Sequence, residues 1–468
     1  MRTAPSSSPT PRRGLALVSV PIASLLLLAG GATAHPHPDE HGFIETPHEG
    51  NANYTPESEN TTVVGHVDPG TGFNADVWAH GDHAFLASWG TFTEVGAFCP
   101  ALGVRAIDLS DPADPEIVGT FADGSDPELA DSWTEKVVVQ RVRGRDLAAV
   151  SFQACAPDGF RGFGVYDVTD PSDPTELSRV ELIADHHRGS HEIWLEKRGN
   201  RAYVYTAVIN KELHTSPDGE TPGSPDFQIF DVSDPTSPQK VGEWGAWSEL
   251  GIKPDEPDDV GARSRFVHSV IGSVAGRPDR AYLSYWDLGT VILDVSDPSD
   301  PQLLGIAEVD EQDQGSAHSA WLARGGNILI ETDEVFDPHP DREQAWGYPT
   351  FYDIRDPSDP TELGTFEMPS TRQVDPAPGP GFWTVHDPKV RGNTAYLSWY
   401  AEGVVVLDIS DPASPTKLAQ FVPEPAADPN GVFFPGEEFA NVWGTDLHRG
   451  TVLASDINSG LWIFEVDR

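Results

Sequence analysis

The stretch DVSDPSDP (Asp294–Pro301), with TVILD leading into it and QLLGI leading out, decides how the chain folds. It recurs as DLSDPADP at Asp108, DVTDPSDP at Asp167, DVSDPTSP at Asp231, DIRDPSDP at Asp353 and DISDPASP at Asp408. Successive copies lie 59, 64, 63, 59 and 55 residues apart, so the chain is a repeat architecture. An apolar, β-branched run precedes each copy and another follows it. In D-P-x-x-P the Asp side chain can accept backbone N–H groups while Pro presets φ, so the phrase marks a turn between two strands.

Reading outward, one repeat is complete in SHEIWLEKRGN, RAYVYTAV, FQIFDVS and QKVGEW, which are four short strands, a to d. A lone four-stranded sheet cannot bury both faces, so units of this size stack around an axis as propeller blades. The last unit ends at LWIFEVDR, where Glu465 lies 57 residues after Asp408 in the equivalent position, and it has no strand d. Thr62–Val67 (TVVGHV) reads like the strand d of other units. The expected fold is therefore all-β: a seven-bladed β-propeller of four-stranded blades, closed by an N-terminal outer strand pairing with the C-terminal blade.

The division of the chain follows. Residues 1–34 read as a signal peptide, with Arg12-Arg13, an apolar run from Leu15 to Leu28, and Ala32-Thr33-Ala34 as the cleavage site. The arginine pair is a loose match to a twin-arginine leader. The expectation is an extracellular protein with no membrane span after cleavage; retention of the leader as an anchor is the alternative. Residues 35–58 form a His- and acid-containing segment, and 59–468 the propeller. A monomer is expected.

The chain carries 74 acidic and 30 basic residues, only seven of them lysine, for a formal net charge of −44. Such a surface repels nucleic acid and anionic lipid. It resembles the acidic surfaces of extreme halophile proteins, an adaptation to solvent rather than to a ligand. The two cysteines, Cys99 and Cys155, fall between strands b and c of neighbouring blades, so a disulfide is expected between them.

The phrases FGVYD, FQIFD, TVILD and VVVLD, each followed by a D-P-x-x-P turn, resemble the LVIVD repeat family of secreted and surface-attached proteins. The resemblance runs from about Thr62 to Arg468 and implies a β-propeller and an extracellular location. The family carries no settled activity, so the resemblance implies none.

Aligning the blades on strand b puts His191, His268, His318 and His386 in one slot at the start of strand a, in four consecutive blades. Blade 2 has Glu135 there, and blades 1 and 7 have Ala75 and Trp443. Strand a is the innermost strand, so these side chains converge on the mouth of the central channel. Converging neutral imidazoles suit a transition metal such as Cu, Fe or Zn, with Glu135 orienting a histidine or completing the coordination. The arrangement resembles, in architecture alone, the four-His iron centre of the carotenoid oxygenase propellers and the His-rich site of the selenium-binding proteins. Residues two positions on (Val77, Val137, Ile193, Val270, Ala320 and Pro388) have no common identity, which sets the His slot apart from simple inheritance of a repeat. The plainer alternative is polar residues that bond channel water.

His186-His187 lie close to His191 in sequence and are a candidate extension of the site. The long b–c and d–a loops share a face with the His slot, and aromatics such as Trp133, Trp247, Trp346, Tyr348, Trp383 and Trp443 lie among them. The partner expected there is a small molecule or a surface ligand. Two functions follow: a metal-holding propeller, acting as an oxidoreductase on a small substrate, or a metal-free protein- or glycan-binding module. No serine-nucleophile, phosphate-loop or paired-carboxylate signature points to a hydrolase.

Overall fold

The computed structural model describes residues 54–467, apart from 71, 91–98, 157–158, 183–188, 209–220, 255–256, 259–260, 263–264, 275–276, 278, 309–315, 337, 339–344, 375–376 and 430–432. The candidate residues His186 and His187 lie outside the described residues, as does the leader. Among the described residues no helix is long and apolar enough to cross a membrane.

Seven antiparallel blade sheets succeed one another along the described residues, with one further two-stranded pair, Pro257–Asp258 and Gly261–Ala262. Blade 1 spans Asn74–His80, His83–Ser88, Gly103–Asp108 and Glu116–Phe121. Blade 3 spans Ser190–Arg198, Arg201–Val208, Phe227–Asp231 and Gln239–Trp244. Blades 4, 5 and 6 repeat the same order from Val267, Ala317 and Pro388, and blade 2 adds a short fifth strand, Ser132–Trp133. Blade 7 takes three strands from Val442–His448, Thr451–Asp456 and Gly460–Val466 and its outer strand from Thr61–Val67, with Thr62 opposite Glu465 and Val67 opposite Leu461. The disc closes as the missing outer strand requires, with no free sheet edge at the seam.

The D-P turns work as their residue types dictate. In all six copies the first Asp accepts the N–H two residues on, at 2.7–3.0 Å. The Asp before Pro does the same at 2.9–3.2 Å. The hydroxyls of Ser110, Ser172, Thr236, Ser299 and Ser358 donate to the same carboxylates, and these bonds, followed by the backbone ones, hold Asp108, Asp170, Asp234, Asp297 and Asp356 below the usual carboxylate range.

Each turn also locks to the preceding blade. A Cβ added to Gly65, Gly119, Gly242 or Gly305 in an outer strand would sit 1.9–2.1 Å from the carbonyl oxygen of Pro112, Pro171, Pro298 or Pro357 in the next blade. At the matching position of blade 2, the Ser178 hydroxyl donates to the Pro235 carbonyl at 2.6 Å. The small residue in strand d and the proline turn are thus two halves of one joint. Gly305→Ala forces the two backbones apart and should cost about 1–3 kcal/mol. A thermal melt of that variant within experimental error of the parent would refute the joint.

Candidate metal centre

The His slot is a β-bulge. The register between strands a and b slips between Ser190 and Ile193, between Val267 and Ser269, and between Ala317 and Ser319. His191, His268 and His318 fall within these slips. Ala75 and Trp443 fall in the matching slips of blades 1 and 7. An extra residue in one strand bends the backbone and re-aims its side chain, here toward the channel. In blade 6 the regular strand starts only at Pro388, and the His386 N–H still donates to the Ser398 carbonyl at 2.9 Å.

The four imidazoles stand side by side. Ring centres are 4.4 Å apart for His191 and His268, 4.2 Å for His268 and His318, and 4.1 Å for His318 and His386. On a seven-fold circle this spacing puts the ring centres about 5 Å from the axis. His191 Nε2 lies 3.0 Å from His268 Nε2, close to the separation of two donors on one metal. All four residues are buried.

Glu135 stands behind the row. Its Oε2 lies 2.6 Å from His191 Nδ1 and accepts from Gln153 Nε2 at 3.2 Å. That contact, with Gln153 Nε2 2.8 Å from the same Nδ1, orients the His191 ring so that its Nε2 faces His268. The other end of the row holds a carboxylate that the sequence reading did not single out. Glu334 lies 3.6 Å from His318 Nε2 and 3.7 Å from His386 Nε2, and Tyr400 donates its hydroxyl to Glu334 Oε1. One ligand atom each from His268, His318 and Glu334 lie within 4.8 Å of one another.

Glu334 follows the last residue of strand b. The strand pairings put Trp89, Gln153, Trp286, Tyr400 and Ile457 in the same slot of other blades. Gln153 touches His191, Trp286 packs 5.0 Å from His268, and Tyr400 packs 5.5 Å from His386. The end of strand b is therefore a second ring around the row, and its signal in sequence is position rather than identity. Trp443 closes the row, 4.0 Å from His386. Trp346 and Trp383 instead pack with Tyr54 away from the row.

Burial pushes the pKa of His268, His318 and His386 well below the ordinary imidazole value, and other imidazoles of the row push each further down. That direction favours the neutral form of His268, His318 and His386, the form in which imidazole ligates a metal. Nδ1 of His268, Nε2 of His318 and both nitrogens of His386 are buried without a hydrogen-bond partner among the described residues. A buried polar atom left unsatisfied costs about 1–3 kcal/mol, so the row is unfavourable as a structural feature alone. Burial also raises Glu135 and Glu334 well above the carboxylate range.

The residues after the slot form an ionic ring one step deeper. Lys136 Nζ lies 2.8 Å from Asp76, 3.1 Å from Glu192 and 3.9 Å from Asp387, reaching blades 1, 3 and 6 from blade 2. Lys389 pairs with Asp387. Burial opposes the charge on Lys136, but Asp76, Glu192 and Asp387 more than offset it, so the ammonium is held above its ordinary pKa. Burial pushes Glu192 up to about 8 and Asp446 up to about 6. Below this ring Trp78, Trp194 and Trp321, from alternate blades, contact one another at 5.5 and 6.1 Å and fill the channel. Buried carboxyl groups and two lysines thus line the axis.

The Cys99–Cys155 disulfide is present, with Cα atoms 6.4 Å apart, and it joins blades 1 and 2.

A closed seven-bladed propeller with a buried histidine row at one mouth defines the class. The repeat is the LVIVD repeat: its family model matches residues 224–244, 274–309 and 384–421, and the last match includes His386. No curated protein matches the chain. Among solved structures the chain is similar to the computationally designed protein Ika8, at 10% identity and a TM-score of 0.45, over 87% of this chain and 100% of that one.

Proposed function

We propose that the protein is an exported LVIVD-repeat propeller that holds one transition metal at the channel mouth and acts on a small substrate there as a metal-dependent oxidoreductase. The observation that carries this reading is the set of unpartnered, neutral imidazole nitrogens beside Glu334. His268, His318 and Glu334 form the compact donor group, with His191 and His386 flanking it. Copper, iron and zinc all accept this donor set. The bound metal would polarise a ligand or exchange electrons with it. The chain's part is to exclude water, keep the buried imidazoles neutral and keep the row in register through Glu135.

Elemental analysis of protein purified without a histidine tag is the test. One metal per chain is expected, with His318→Ala losing it and Glu135→Gln weakening binding by about 10–100-fold through loss of His191 orientation. Metal-free protein that takes up no copper, iron or zinc at stoichiometric addition would overturn the reading. The loop face would then remain as the candidate site, for a protein or glycan ligand.

A further inference from the structure

The run of imidazoles in the strand a slot ends at blade 7, where Trp443 stands in place of a fifth histidine, its ring centre 4.0 Å from that of His386. Its backbone is held on both sides. Val442 exchanges 3.1 Å backbone bonds with Tyr400, and the Gly444 N–H donates to Ser455 Oγ at 3.0 Å. Trp89 packs edge to face at 4.6 Å and Tyr400 at 5.7 Å, so the indole is fixed between three rings.

The indole nitrogen sets this residue apart. Trp443 is 4% exposed, and its Nε1 is buried with no hydrogen-bond partner among the described residues. Tryptophans elsewhere donate to an acceptor of the protein: Trp78 to the Val139 carbonyl at 3.0 Å, Trp194 to Glu196 at 2.9 Å and Trp399 to the Trp383 carbonyl at 2.9 Å. A buried Trp N–H usually finds such a partner, because leaving the bond unmade forfeits the one it had to water. Packing alone would be served by phenylalanine in this slot.

Position supplies the acceptor. The four histidines come from blades 3 to 6, Glu135 of blade 2 is engaged with His191, and the blade 1 slot holds Ala75, which has no ligating atom. An arc of this kind leaves a metal's remaining coordination position open toward blades 7 and 1, where the indole stands. A small molecule that ligates the metal on that side brings its lone pairs up to Trp443.

We propose that the Trp443 N–H is a specificity-determining donor of the metal centre: the site takes small molecules that carry a free lone pair on or next to the atom that ligates the metal, and the indole hydrogen-bonds that lone pair. The proposal rests on the metal reading above and names the class of ligand which that reading leaves open. Azide belongs to this class. Imidazole does not, because once it ligates a metal it turns only C–H and N–H groups outward.

The test uses full-length protein loaded with Cu(II), its copper content measured first; azide is followed by its charge-transfer absorption and imidazole by the shift of the copper ligand-field band. Trp443→Phe should weaken azide binding by about 5–10-fold, the loss of one hydrogen bond, and change imidazole binding by less than about twofold. Equal azide affinity in parent and variant overturns the proposal, and so does weakening of both probes alike, which is what a purely structural role gives. A copper-loaded parent that binds no azide also overturns it, while leaving the metal site standing. A second measurement needs no variant: in nitrogen-15-labelled, zinc-loaded parent protein, azide should move one indole N–H resonance downfield, and a spectrum in which none moves counts against the donor. Protein that holds no metal reveals this in the content measured beforehand and removes both readings.

Discussion

Replacing Lys136 by methionine should destabilise the metal-free protein by about 3–5 kcal/mol at pH 8, among the largest effects of any single substitution in the chain. Lys136 is the shared counter-ion of Asp76, Glu192 and Asp387, and all four groups are buried. Without the ammonium, three carboxylates from three blades face one another out of water. They would respond by taking up protons, so their pKa values in the folded variant rise. A group whose folded pKa is raised stabilises the fold at low pH and loses that contribution as pH rises through the folded value. The deficit of Lys136→Met should therefore be smaller at pH 5 than at pH 8, and Lys136→Arg should recover much of the stability. Urea unfolding at both pH values decides the matter; a variant within 1 kcal/mol of the parent at pH 8 would show that the ring is hydrated or already protonated.

Glu331 gives the second large effect, through pH. It is buried, accepts a hydrogen bond from Thr290 and pairs with no cation among the described residues; burial pushes its pKa up to about 7. The sign follows from the raised value. Folding favours the protonated form, so this carboxyl's contribution is fully present below its unfolded pKa near 4.5 and is lost as pH rises through about 7. The difference corresponds to about 3 kcal/mol between pH 4.5 and pH 8. Glu331→Gln removes the titrating proton at nearly constant shape. It should leave stability at pH 5 close to the parent's and raise it at pH 8. Parallel stability profiles for parent and variant from pH 5 to pH 8 would show that Glu331 stays ionised in the folded protein.

The ring architecture was legible because its determinants are local. The D-P turn, strand alternation and the unpaired Thr62–Val67 segment each depend on residues a few positions apart, and together they fix blade count and closure. The His slot was legible because four blades repeat one residue at one position. Glu334 was not, because its slot also holds Trp89, Gln153, Trp286, Tyr400 and Ile457, and no shared identity marks it as lining the site. The ionic ring escaped for a related reason. Asp76, Lys136, Glu192 and Asp387 occupy one slot with unlike residues, and what unites them is proximity across the axis, which arises only when the disc closes. Trp78, Trp194 and Trp321 differ in this respect, because one residue type recurs three positions after the His slot in alternate blades, and only their contact across the axis needed the closed ring. Features that depend on the repeat can be read from one blade, whereas those made by opposing blades need the closed ring.

The joint between an outer-strand glycine and the next blade's proline turn is asymmetric, and this gives the disc a sense of rotation. Each unit presents a socket on its trailing side and a plug on its leading side, as in a head-to-tail ring. One seam lacks the turn altogether. Blade 6 presents Ala419 rather than glycine, and what it meets is the N-terminal segment: Asn60 donates to the Leu418 carbonyl at 2.9 Å, and Glu59 and Gln420 exchange backbone bonds at 2.7 and 2.9 Å. An extra whole repeat inserted at an internal junction would bring a matching plug and socket with it, so copy number could change by duplication without inventing a contact. The seam has no such interchangeable part, so a repeat inserted there would have to supply a new contact for Asn60 and Glu59.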